Sequence, residues 1–156
     1  MAATTASVVY ATQVVHVGSG AALAAGSINV STDVSTALSS TNLLRYPLAD
    51  VQLMISHTAS LSSLSTALYL YRRDMNVDGT GDEPLPNTVT STLYKSKLVG
   101  VFAAQALGSA NTSIQYMQLT DVPLADQCEF YIENATNAAI LAGWTLKVLP
   151  KTDSFA

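Results

Sequence analysis

Residues 128–134 read Cys-Glu-Phe-Tyr-Ile-Glu-Asn, which puts Phe130 and Ile132 on one face of an extended chain and Glu129, Tyr131 and Glu133 on the other. Strand side chains alternate with a period of two, and β-branched and aromatic residues suit that conformation. The same alternation recurs at residues 28–34 (Ile28, Val30 and Val34 together), 51–57 (Val51, Leu53, Ile55), 67–73 (Leu68 and Leu70 opposite Tyr69 and Tyr71), 114–119 and 144–149 (Trp144, Leu146, Val148). Residues 97–103 are apolar on both faces, which predicts a central strand or one lying under a partner. Gly, Pro, Asn and Asp clusters separate the runs, and no amphipathic helix of three turns is evident. The predicted class is all-β, a β-sandwich or jelly-roll-like domain over residues 28–156. Trp144 is its predicted core anchor.

Residues 1–27 are mostly Ala, Ser, Thr, Gly and Val. They predict an extended N-terminal arm, with strand pairing near Val14–Val17. The arm has no Lys or Arg, so it lacks the positive flank of a secretory signal. Only 12% of the chain is charged, against about 25% in an ordinary soluble domain. Asp33 is the one charged side chain before Arg45. A surface this poor in charge, with Ser and Thr in its place, suits contact with other proteins, and it also suits a neutral Ser/Thr-rich β domain. With 7 Lys and Arg against 11 Asp and Glu, there is no basic excess for nucleic-acid binding. No apolar run is long enough for a membrane helix, so neither partner is expected.

Motifs for chemistry are sparse. Asp74, Asn76, Asp78 and Asp82 lie on a Gly-containing loop with the alternate oxygen ligands that Ca²⁺ favours. Leu85 stands where an EF-hand has its bidentate Glu, so that motif is excluded; Asx-turns in a long hairpin explain the same residues. Gly18, Ser19 and Gly20 start like a dinucleotide-binding turn, but Leu23 occupies the third glycine position. His16 and His57 are far apart, no nucleophile-elbow pattern surrounds any Ser, and Cys128 sits beside Glu129, which disfavours its thiolate. An enzyme is not expected, and no cofactor is. The expected contact residues are Tyr69 and Tyr71, exposed opposite the Leu set as is Tyr131, with Arg72 and Arg73 beside the acidic loop, and Val14 and Val15 in the arm. The two arginines are expected to pair with the loop acids or with a neighbouring subunit.

Five segments, LYLYRRD at 68–74, DGT at 78–80, KLVGVF at 97–102, CEFYIEN at 128–134 and AGWTLKVLPK at 142–151, resemble small virion structural proteins of tailed bacteriophages. The resemblance spans roughly residues 67–152; residues 1–66 match no named group. Within that group the likeness is greatest to capsid decoration (cement) proteins. It implies a β-rich, often trimeric subunit that clamps neighbouring hexamers of the major capsid protein, made in the host cytoplasm and located on the virion surface. It carries no catalytic residues. A neck, tail or baseplate component and a Ca²⁺-dependent carbohydrate-binding sandwich are the alternative expectations.

Overall fold

The alternating runs assemble into two antiparallel sheets that enclose one core. The structure is a computed structural model that describes residues 6–38, 46–58, 61, 66–76, 82–85, 97–106 and 113–155. The larger sheet holds β1 (Ala6–Tyr10), β2 (Val14–Gly20), β3 (Leu48–Ile55), β6 (Gln115–Pro123) and β8 (Trp144–Phe155). The smaller holds β4 (Ala67–Asp74), β5 (Leu98–Ala103) and β7 (Cys128–Asn134) in the order β5-β4-β7. The protein is an all-β sandwich. Ala49, Val51, Leu53 and Ile55 of β3 and Trp144, Leu146 and Val148 of β8 face Leu68, Leu70, Phe102, Phe130 and Ile132 of the other sheet, all of them buried.

β8 organises the larger sheet. One side pairs with β3, from Leu48 opposite Lys151 to Met54 opposite Thr145. Along its other side run β2 and then β1, so residues 6–20 lie antiparallel to almost the whole of β8. The strand pairing expected near Val14–Val17 is present, and residues 6–20 of the predicted arm pack on their own domain. The register slips between Val15 and Val17. Such a bulge places two residues against one, and here it leaves both His16 and Val17 buried.

Residues 28–34 differ from expectation. Only Ile28 makes a strand-like bridge, to Glu133, and Ser31–Asp33 is a turn of 3₁₀ helix. The Asp33 carboxylate accepts the N–H groups of Val30 and Ala21, at 3.2 and 2.9 Å. This local turn outcompetes the weak alternation. Of the two alternatives for residues 97–103, the central strand is not seen among the described residues: β5 (Leu98–Ala103) pairs there only with β4, Phe102 points inward, and Leu98 and Val101 are exposed.

Gly20 is explained by packing. A Cβ there would lie 2.0 Å from Cε2 of Trp144, whose indole N–H donates to the Ala21 carbonyl at 2.8 Å and cannot retreat. Gly20→Ala is expected to cost about 3 kcal/mol, read by urea unfolding. At Gly18 the added methyl meets ordinary contacts at 3.5 Å, so Gly18→Ala serves as the control. Equal midpoints for the two variants would contradict the packing argument.

Candidate functional site

Alternation along β4 and β7 brings Tyr69, Tyr71, Arg73, Glu129, Tyr131 and Glu133 to the outer face of the smaller sheet. Tyr69 stands opposite Glu133, Tyr71 opposite Tyr131, and Arg73 opposite Glu129. The Tyr71 hydroxyl donates to Glu133 at 2.5 Å, and the Tyr131 hydroxyl to Glu129 at 2.7 Å. Burial and the neighbouring carboxylate both push these phenols well above their ordinary pKa. The expectation of three exposed tyrosines is therefore corrected. Tyr71 and Tyr131 are buried, and only Tyr69 is half-exposed. These phenol-to-carboxylate bonds, one between β4 and β7 and one along β7, are what allow the polar ends to be covered. Tyr69, Tyr71, Leu98 and Glu133 line an open groove of about 410 Å³.

The two arginines are held within the chain. Arg72 pairs with Asp74 at 2.6 Å and donates to the Pro123 carbonyl. Arg73 pairs with Glu129 at 2.8 Å and lies 3.7 Å from Asp82. Lys97 bridges Asp74 and Glu83 at 3.2 and 2.6 Å. The Arg72 and Lys97 charges outweigh burial and hold the Asp74 carboxyl below its ordinary range. Asp82 also accepts the Asn76 N–H at 2.8 Å. The loop acids expected to attract Ca²⁺ thus already face cations or amides of the protein; Asp78 lies outside the described residues. Among the described residues no group of three His, Cys, Asp or Glu is placed to hold a metal.

A third charged cluster follows from a bulge between β3 and β6. The register slips between Ala49 and Val51, and Asp121 there takes a left-handed backbone with φ of 57°. Lys151 pairs with Asp50 at 2.6 Å and with Asp121 at 2.8 Å, so one ammonium secures the strained residue.

Among the described residues, neither imidazole is hydrogen-bonded to a Ser, Thr or Cys side chain. His16 is fully buried; its Nδ1–H donates to the Thr36 carbonyl at 2.8 Å, and its Nε2 accepts the Phe130 N–H at 2.9 Å. Burial drives its pKa down, partly offset by the carbonyls of Thr36 and Phe130 and by the Glu129 charge. The ring is a structural clamp that the sequence reading missed. The outer edge of β7 explains it. Leu38 exchanges both backbone hydrogen bonds with Cys128. The His16 ring takes the Phe130 N–H, and the Asn29 side chain takes the Ile132 N–H at 2.7 Å. Ser27 and Gly26 bond the N–H and carbonyl of Asn134. Two buried side chains and two backbone segments thus stand in for a neighbouring strand and close an edge that would otherwise invite pairing. Asn29 and Asn134, which begin the Asn-x-Ser/Thr sequences at 29–31 and 134–136, are buried by these contacts and closed to glycosylation in the folded chain.

His57 is also fully buried, and neither of its ring nitrogens meets a hydrogen-bond partner. Burial lowers its pKa. Cys128 is buried and its thiol is pushed up to about 11, which leaves it protonated and inert at neutral pH.

The termini present the other conspicuous surface. β1 pairs with residues 151–155, and β3 reaches only as far as Lys151. Beyond that point, among the described residues, β1 and the end of β8 run on as a two-stranded ribbon. Val8 and Tyr10 fall on one face and Val9 on the other, 50%, 50% and 41% exposed. Val15 continues this apolar exposure along the same edge, whereas Val14 packs partly against the core. Compared with known protein families and with curated proteins, the chain matches no family model and no curated protein.

Proposed function

We propose that the protein is a non-enzymatic structural protein of a bacteriophage particle, an outer capsid cement subunit that clamps neighbouring capsomers of the major capsid protein. The observation that supports this reading is the terminal ribbon. An isolated two-stranded ribbon is marginal in water, and this one shows apolar side chains on both faces. Such a ribbon is completed by a partner surface that covers Val8, Val9 and Tyr10. The low charge of the chain and the internal pairing of Arg72 and Arg73 agree with a role in contact rather than chemistry. Self-association as a trimer would present several ribbons at once, and many modest contacts across a lattice sum to a large stabilisation.

The test is deletion of residues 1–10, which removes the ribbon and leaves the core residues of β2 in place. The truncated chain is expected to unfold with a midpoint close to that of the full chain. It should bind particles at least about 30-fold more weakly, since even one anchor residue contributes about 2 kcal/mol. Undiminished binding would remove the ribbon from the mechanism. Copy number in purified particles, measured by quantitative mass spectrometry, tests the location. Copies comparable in number to the shell subunit are expected; a dozen or fewer would place the protein in the neck or tail, and none would overturn the virion reading.

A further inference from the structure

We infer that the groove on the outer face of the smaller sheet is a receptor for an organic cation, a guanidinium or alkylammonium group such as an arginine side chain carried by a partner. The inference starts from charge. Among the described residues, the acidic side chains other than Glu133 on β4, β7 and the adjoining loop have basic partners: Asp74 has Arg72 and Lys97, Glu83 has Lys97, and Asp82 and Glu129 have Arg73. Glu133 is half-buried, yet among the described residues it pairs with no cation. Its one hydrogen bond there is from the Tyr71 hydroxyl to Oε2, which leaves Oε1 to the groove. A carboxylate partly removed from water without a counter-charge is poised to accept one.

The walls agree with that ligand. Tyr69 lies directly opposite Glu133 in the ladder, so its ring and the carboxylate are neighbours. Tyr69 is half-exposed and lines the groove, so its ring offers a face there; the buried Tyr71 ring lies 6.4 Å from it, tilted at 56°. Aromatic faces attract cations, and a carboxylate beside them fixes the position of the charge. Leu98 supplies an apolar wall for the methylene stem of a long cationic side chain. The volume of about 410 Å³ admits a group of that size. A neutral sugar suits the groove less well, because among the described residues its lining offers a carboxylate and phenols and no amide. The site stands apart from the ribbon, so either can fail without the other.

The experiment is a chemical-shift titration of the full chain with N-acetylarginine methylamide and with tetramethylammonium, following Tyr69, Tyr71 and Leu98. Neutral N-acetylcitrulline methylamide and maltose are the controls. Saturable shifts at these residues are expected with the two cations, weakening as salt is raised, and none with the neutral compounds. Glu133→Gln keeps an acceptor for the Tyr71 hydroxyl and is expected to weaken cation binding about 10-fold. Tyr69→Leu keeps the apolar wall and should weaken it several-fold; it decides the matter should the first variant prove unstable. Absence of saturable shifts, equal binding of citrulline or maltose, or unchanged affinity in whichever variants fold would overturn the assignment.

Discussion

A chain that starts at residue 21 is expected not to fold, in contrast to one that starts at residue 11. The sequence alone suggests that the whole of residues 1–27 is an arm that can be removed from a self-sufficient domain. The structure divides that arm in two. β1 contributes exposed side chains, whereas β2 buries His16 and Val17 completely and packs Gly20 against Trp144. Loss of Val17 costs about 2 kcal/mol of burial. Loss of the His16 ring leaves the Phe130 N–H and the Thr36 carbonyl unmet, at about 1–3 kcal/mol each. The β2 ladder also leaves β8 from Trp144 to Val148, opening its edge to water. Together these rival the about 5–15 kcal/mol that holds a domain together. Trp144 is the single tryptophan and is buried, so its fluorescence reports the outcome. The shorter deletion is expected to keep the blue-shifted emission of a buried indole. The longer one is expected to give red-shifted emission and no cooperative urea transition. A cooperative transition after removal of residues 1–20 would show that β2 is dispensable.

The second large effect is acid sensitivity through the histidines. His16→Ala is expected to cost about 3–4 kcal/mol, the sum of an unmet buried N–H, an unmet carbonyl and a cavity. The pH dependence follows from the direction of the shifts. Both histidines have folded-state pKa values below the ordinary 6.5, because burial disfavours the charged ring. Below pH 6.5 the unfolded chain therefore takes up protons that the folded chain refuses. The stability these groups contribute is full above about pH 6.5 and is lost as pH falls below it, with a slope approaching about 1.4 kcal/mol per pH unit for each histidine. Asp74, whose pKa is depressed from 3.8, acts in a separate window below pH 4. Urea unfolding at pH 7.5, 6 and 5 separates the two windows. His57→Leu should reduce the slope without lowering stability at pH 7.5, since neither nitrogen of His57 has a hydrogen bond to lose. Equal stability at pH 7.5 and pH 5 would refute the account.

Much of the core could be read from alternation. Val51, Leu53 and Ile55, Leu68 and Leu70, Phe130 and Ile132, and Trp144, Leu146 and Val148 all point inward as their period of two requires. Alternation says which residues share a face, but not what covers that face. Alternation alone therefore predicts exposed Tyr71 and Tyr131, though carboxylates on nearby positions of the same sheet let them be buried. The groove is only half legible: alternation puts Tyr69 and Tyr71 on one face, while Glu133 and Leu98 join them through strand pairing.

The sequence by itself determined the all-β class and the inward set of most strands, because side-chain alternation is a local consequence of an extended backbone. Tertiary structure alone decided which strands are edges and how each edge is closed. His16 meets Phe130 across 114 residues and Asn29 meets Ile132 across 103, and no local pattern marks a polar side chain as a substitute for a strand. It also decided that β2 belongs to the core and β1 to the surface. Both are short apolar segments of one neutral arm, and they part company only because β3 and the smaller sheet cover the stretch of β8 beside β2 and end before the stretch beside β1.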